Sequence, residues 1–193
     1  MKRTEQHEGA QDVLRADDSS PWSRYFGIDH YRPVYQCGIG TIATSHGARL
    51  SALFGRTLAR TWVLWDVEDD SWFCDAPVLF DFGDEQLEIQ HNKLDELSIT
   101  WNTIDALSPV TWPDSALAWR NDAIPDLKRL HGQRVVAGQL LEWRVQGPDL
   151  ANGMVAVCIT FEHGEVLVHN ALDENGLEFG RPRGEYRAWS ADS

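Results

Sequence analysis

Two short segments of this chain carry side chains able to bind a metal or move a proton, and they are nearly the same segment. His91-Asn92-x-Leu94-Asp95-Glu96 recurs as His169-Asn170-x-Leu172-Asp173-Glu174. Imidazoles and carboxylates serve as metal ligands and as general acids and bases. His91, Asp95, Glu96, His169, Asp173 and Glu174 would therefore form one metal or catalytic site if the two segments met across a two-fold axis. The spacing favours a simpler reading. It is neither a helical His-x-x-x-His nor a paired-thiolate arrangement. Asp173-Glu174-Asn175-Gly176-Leu177-Glu178 matches only a fragment of a calcium loop, without its alternating oxygen donors. Asn and Asp after a strand bond to nearby backbone and form turns. The preferred expectation is a pair of structural turns holding no metal and no cofactor, with Leu94 and Leu172 plugging the core beneath them. The metal-dependent enzyme or ligand-binding site stands as the alternative.

Other chemistry has less support. No Gly-x-Ser-x-Gly surrounds a serine, although Ser45-His46 and Ser51 supply hydroxyls and an imidazole. Gly38-Ile39-Gly40 lacks a third glycine, and no Gly-x-x-x-x-Gly-Lys-Ser/Thr occurs, so nucleotide binding has no motif. Cys37, Cys74 and Cys158 are odd in number, widely spaced and without a CxxC, which points to neither a disulfide framework nor a zinc site.

The recurrence extends beyond the two polar segments. Leu50-x-x-Leu53-x-Gly55 returns as Leu127-x-x-Leu130-x-Gly132 and Trp65 as Trp143, in the same order, with a one-residue slip between the glycine and the tryptophan. Such self-similarity reads as a duplicated supersecondary unit. The expected fold is α+β and β-rich: two tandem pseudo-symmetric repeats, each a short helix followed by an antiparallel β-meander. In the first repeat, Leu50 and Leu53 share a helical face within Ala48–Phe54, and Gly55 sits at the C-cap. Alternation then gives strands over Ala76–Phe82 and Gln86–His91, joined by a turn at Gly83-Asp84. Short strands are expected at 97–101 and 177–179. A meander of three or four strands has one face it cannot bury alone, so the two repeats are expected to pack together. The resulting divisions are an N-terminal arm at 1–20, an aromatic irregular segment at 21–46 packing on repeat one, repeat one at 47–102, a linker at 103–123, repeat two at 124–180, and a basic, aromatic tail at 181–193.

Charge separates the two repeats. The chain carries 30 acidic and 17 basic residues, a net −13. Between residues 61 and 100 the acids are Asp66, Glu68, Asp69, Asp70, Asp75, Asp81, Asp84, Glu85, Glu88, Asp95 and Glu96, against Lys93 alone. Residues 125–179 are more balanced, with eight acids and four bases. An acidic field repels nucleic acid and anionic membranes and favours a basic protein. The alternatives are solvated surface or internal pairing, for instance with Arg181, Arg183 and Arg187 of the tail. Trp65 and Trp143 recur, so they are assigned to packing, whereas Trp72, set among acids without a counterpart, is the candidate exposed anchor. The leading functional expectation is a non-enzymatic protein-binding module, in one form an immunity or inhibitor protein engaging a basic toxin or nuclease. Its partner-binding set would be Asp66, Glu68, Asp69, Asp70, Trp72, Asp75, Asp84 and Glu85. A self-associating structural or adaptor module is a further alternative, and the oligomeric state is left open. No signal pattern or spanning run is visible, so a cytoplasmic protein is expected.

Overall fold

The computed structural model describes residues 25–113 and 115–189, so the arm expected at 1–20 lies outside the described residues. The described residues are β-rich, with two antiparallel sheets and two α-helices. Helix α1 spans Ile39–Ser51 and buries Ile42, Ala43 and Leu50. It begins well before the Ala48 expected from the sequence, inside the segment read as irregular. Gly38, at φ +78°, is its N-cap rather than a free turn. The chain reverses at Gly55, whose φ of +77° lies in the left-handed region that favours glycine.

The first sheet is built from β1 (Arg60–Asp66), β2 (Ser71–Trp72), β3 (Val78–Asp81), β4 (Gln86–His91), β5 (Leu97–Trp101) and β6 (Leu117–Arg120). β1, β3, β4 and β5 form an antiparallel meander; β2 also pairs with β1, as does β6. The segment read as a linker thus contributes a strand. After α2 (Pro125–Lys128) come β7 (Val135–Trp143), β8 (Val155–Phe161), β9 (Gly164–Asn170), β10 (Asn175–Phe179) and β11 (Tyr186–Ala188). They form a second antiparallel sheet in the order β10-β9-β8-β7-β11. Part of the expected tail is therefore the edge strand β11.

Alternation along the strands decides what each face buries. Val78, Phe80, Leu87, Ile89 and Ile99 of the first sheet meet Leu140, Val155, Val157, Ile159, Val166 and Val168 of the second in one core, which Ile42, Leu50 and Leu53 complete. The intervening residues point outward. On the first sheet, Leu79 is covered by Ile28, Tyr31 and Ile104, with Phe26 and Val110 packed beside them. Glu88 is buried there too. Its carboxylate accepts bonds from the Gln86 amide, the Thr100 hydroxyl and the backbone N–H groups of Thr103 and Ile104, fixing the exit of β5 onto the sheet. On the second sheet, Leu141, Ala156, Cys158 and Leu167 form the outward cluster.

The halves are stitched at one end by backbone bonds, beside which the His131 ring accepts the Thr61 N–H (3.0 Å). Gly55 N–H donates to Val135 O (2.8 Å) and Val135 N–H to Arg56 O (2.9 Å), while Leu58 N–H donates to Gln133 O (2.9 Å) and Gly132 N–H to Leu58 O (2.8 Å). Thr57 and Arg134 form the bridge between them. Helix α1 also lies across β7. A Cβ on Gly138 would stand 2.8 Å from Leu50 O, so glycine is what lets helix and strand approach this closely.

Candidate binding surface at the loop end

Strand direction sorts the acidic residues. β1 and β4 run toward the end of the molecule where the 67–77 and 92–96 connections lie, and β7 and β9 run toward the 144–154 and 171–174 connections. Side-chain bonds bring these loops together. Asn170 Nδ2 donates to Asn92 O and Leu94 O, and Leu94 N–H donates to Asp173 Oδ1 (3.0 Å). Asn175 N–H donates to Cys74 O (3.0 Å), and Cys74 Sγ lies 2.8 Å from Glu174 Oε2. Asp66, Glu68, Asp69, Asp70, Asp75, Asp95, Glu96, Asp173 and Glu174 consequently share one end. Burial raises the Asp75 pKa, with the negative charge of Glu174 adding to the effect. Burial likewise pushes the Cys74 thiol up to about 12, assisted by its bond to Glu174.

Asp84 and Glu85 do not belong to this surface. They occupy the β3–β4 turn at the opposite end, paired with Arg56 and Arg49 respectively. Asp66 caps the β1–β2 turn, accepting the N–H groups of Glu68 (2.9 Å) and Asp69 (3.2 Å). Asp70 accepts the Trp65 indole N–H (3.0 Å) and lies 3.5 Å from Arg120. Among the described residues, Arg49, Arg56 and Arg120 pair with these acids, while Arg183 of the tail lies beside Glu178.

Trp72 is not the exposed anchor expected of it. It stands directly opposite Trp65 in the β1–β2 ladder, and cross-strand partners share a face, so both indoles pack against the main core. The leucines reverse their expectation as well. Leu94 and Leu172 are 58% and 94% exposed, at φ +51° and +63°, held outward by the turns rather than plugging the core. Val67 and Leu150, on two further loops of the same end, are also exposed.

The repeated segments meet, yet their histidines do different work. His91 faces the core at 1% exposure, its backbone N–H bonded to Asn175 Oδ1 (2.8 Å) and its ring nitrogens facing Asn175 Oδ1 (3.1 Å) and Val155 O (3.0 Å). Burial lowers its pKa to about 4, so the ring is neutral at pH 7. His169 shares the outward side of β9 with Leu167, donating from Nδ1 to Asn170 O (3.0 Å). The two therefore lie on opposite faces of their sheets, although both close their strands at the loop end. Trp65 and Trp143 differ likewise: the first packs against the core, the second lines the outer face of the second sheet. The one-residue slip noted in the sequence is the cause, since one position changes the face in a strand of period two. Among the described residues no three His, Cys, Asp or Glu side chains are grouped to hold a metal ion. Glu96 is engaged by the Asn92 amide (2.8 Å), Glu174 by Cys74 and His91 by the core.

Sequence reading missed two parts of this arrangement. Asn175 is a buried junction between the halves, its Nδ2 donating to Cys74 O (3.0 Å) and Ala76 O (2.8 Å). The outer face of the second sheet also holds a cavity of about 310 Å³ whose lining includes Trp143, Met154, His169, Glu178 and Tyr186. Asn-Gly in a polar run was the only signal for the first, and no local signal marks the second. Comparisons of the chain with protein-family models, with curated proteins and with solved structures gave no match.

Proposed function

We propose that this protein is a non-enzymatic binding module whose acidic loop end engages a basic protein, as an immunity or inhibitor protein would neutralise a basic toxin or nuclease. One observation carries the reading: Val67, Leu94, Leu150 and Leu172 stand exposed on the loops of the same end that gathers Glu68, Asp69, Asp75, Asp95 and Asp173. Single exposed leucines are ordinary, but apolar anchors within a charged rim are the composition of a recognition surface. The carboxylates would steer a basic partner, and the leucines would hold it. Arg120 and Arg144 are committed to Asp70 and Glu142, so Lys93 offers little opposition. The two halves are read as copies of one ancestral unit. In support, the stitching bonds interchange under a shift of 77 residues: Gly55 to Val135 matches Gly132 to Leu58, and Val135 to Arg56 matches Leu58 to Gln133. Reciprocal contacts of this kind characterise a two-fold interface.

The test is affinity capture from the native host, followed by association rates at two salt concentrations. Neutralising Glu68, Asp69 and Asp70 together should slow association and flatten its salt dependence while leaving the fold intact. Leu94→Ala and Leu172→Ala should chiefly speed dissociation. An acidic partner, or association indifferent to salt and to the triple neutralisation, would return this surface to plain solvation.

A further inference from the structure

We infer that the outer face of the second sheet holds a binding site for an organic ammonium group, in the cavity of about 310 Å³ between Trp143, Tyr186, His169 and Glu178. The two sheets solve the same problem differently. The outward face of the first is filled by Ile28, Tyr31 and Ile104. On the second, β10 and β11 occupy opposite edges, so residues 180–185 must cross the face between them. This short strap is pinned on Trp143: Gly184 has φ +112°, and a Cβ there would stand 2.4 Å from the indole. It leaves the cavity beneath.

The lining selects the charge of an occupant. Trp143 and Tyr186 meet edge to face, centroids 5.1 Å apart at 80°, giving two aromatic walls nearly at right angles. Aromatic faces attract cations, most strongly where water is excluded. Burial, and then the charge of Glu178, raises the Tyr186 pKa, which keeps its ring neutral at pH 7. Of the other polar groups in the lining, the Glu178 carboxylate is the acceptor that matters most, Asn170 Nδ2 being spent on Asn92 O and Leu94 O. His169 commits Nδ1–H to Asn170 O, which leaves Nε2 as the ring nitrogen not used in that bond. Glu178, whose side chain is 23% exposed, uses Oε1 for the backbone N–H of Arg183 (2.9 Å) and retains Oε2. The Arg183 guanidinium stands 3.9 Å from that carboxylate and is 90% exposed, so solvent screens it. Met154 and Ala156 supply apolar surface for the stem of the ligand. An anion would confront Glu178 instead. This site is independent of the loop-end surface, and neither reading requires the other.

The probe pair is choline and its neutral isostere 3,3-dimethylbutan-1-ol, titrated into the whole chain labelled with ¹⁵N. The Trp143 indole N–H signal is assigned by its loss in Trp143→Phe. Choline should shift the signals of the cavity residues saturably, and the isostere should bind about tenfold more weakly or worse. Glu178→Gln should weaken choline by a similar factor, and Arg183→Ala should tighten it. Equal binding of the two probes, or no saturable shift with choline up to about 50 mM, would overturn the assignment; this comparison needs no variant to fold.

Discussion

Replacing Asn175 by alanine should cost about 3 to 4 kcal/mol of folding free energy, summed from burial penalties of orphaned backbone groups plus a small cavity term. The side chain is 1% exposed and satisfies three backbone groups of the other half: His91 N–H (2.8 Å), Cys74 O (3.0 Å) and Ala76 O (2.8 Å). Truncation strands the His91 N–H completely, at about 2 kcal/mol, and the Ala76 carbonyl at about 1 kcal/mol. Cys74 O loses little, because it also accepts the backbone N–H of residue 175 (3.0 Å). The missing amide volume adds a fraction of what a larger core truncation would. Asn152 provides an internal control. Its side chain likewise satisfies Val145 N–H (2.8 Å), Val145 O (3.3 Å) and Gly147 O (3.0 Å), but in a partly exposed loop where water can replace it. Asn152→Ala should cost about 1 kcal/mol or less. Urea unfolding followed by tryptophan fluorescence measures both. If Asn175→Ala loses no more than Asn152→Ala, the argument that burial at this junction decides the energy is refuted.

Other outcomes follow from the same geometry. Because the folded pKa of His91 is lowered from 6.5 to about 4, the unfolded chain binds the extra proton first, and stability present above pH 6.5 is lost as pH falls toward 4, by about 3 kcal/mol at most. Urea midpoints at pH 7 and 4.5 should draw closer in His91→Gln, with a smaller slope left by His46 and His131, whose pKa values burial also lowers. Leu172→Gly should be neutral or stabilise by up to about 1 kcal/mol, since it relieves a leucine at φ +63° that buries almost nothing; a clear loss in Tm would restore a core role. Trp72→Ala should destabilise by about 2 to 4 kcal/mol, with any effect on partner dissociation secondary, because the indole packs against the core; calorimetry beside dissociation rates separates the two.

What was legible in the sequence was local. Val78 and Phe80, then Leu87 and Ile89, alternate as strands with one buried face, and they form β3 and β4. Gly55 and Gly132 carry positive φ, but neither is the helix C-cap expected of Gly55: the helices end earlier, at Ala52 and Arg129, and the glycines turn the chain beyond them. The start of α1 was obscured because Gly38, Gly40 and Gly47 are poor helix formers, although Ile39, Ile42, Ala43 and Leu50 lie at helical spacing; tertiary packing overrode propensity. The candidate surfaces were harder to read. Whether Trp143 and His169 face the core or the outside depends on a one-residue slip that matching residue types conceals. Trp72 looked exposed because acids surround it in sequence, whereas the ladder partner that buries it against the core is Trp65. The cavity needs a strap spanning opposite sheet edges, which no window of sequence displays.

Helix α1 lying across β7 has a kinetic consequence. The first half cannot finish its own core by local contacts, because residues near 50 must meet residues near 138 before either sheet has its inner face covered. Closing so long a loop is entropically unfavourable until many contacts form at once, so the chain should cross a late, cooperative barrier rather than fold half by half. Interrupted-refolding experiments should find no species with one sheet protected from amide exchange and the other open. During synthesis, the first meander must wait with its apolar face uncovered until the β7–β8 hairpin has emerged, and in that interval it is most exposed to aggregation.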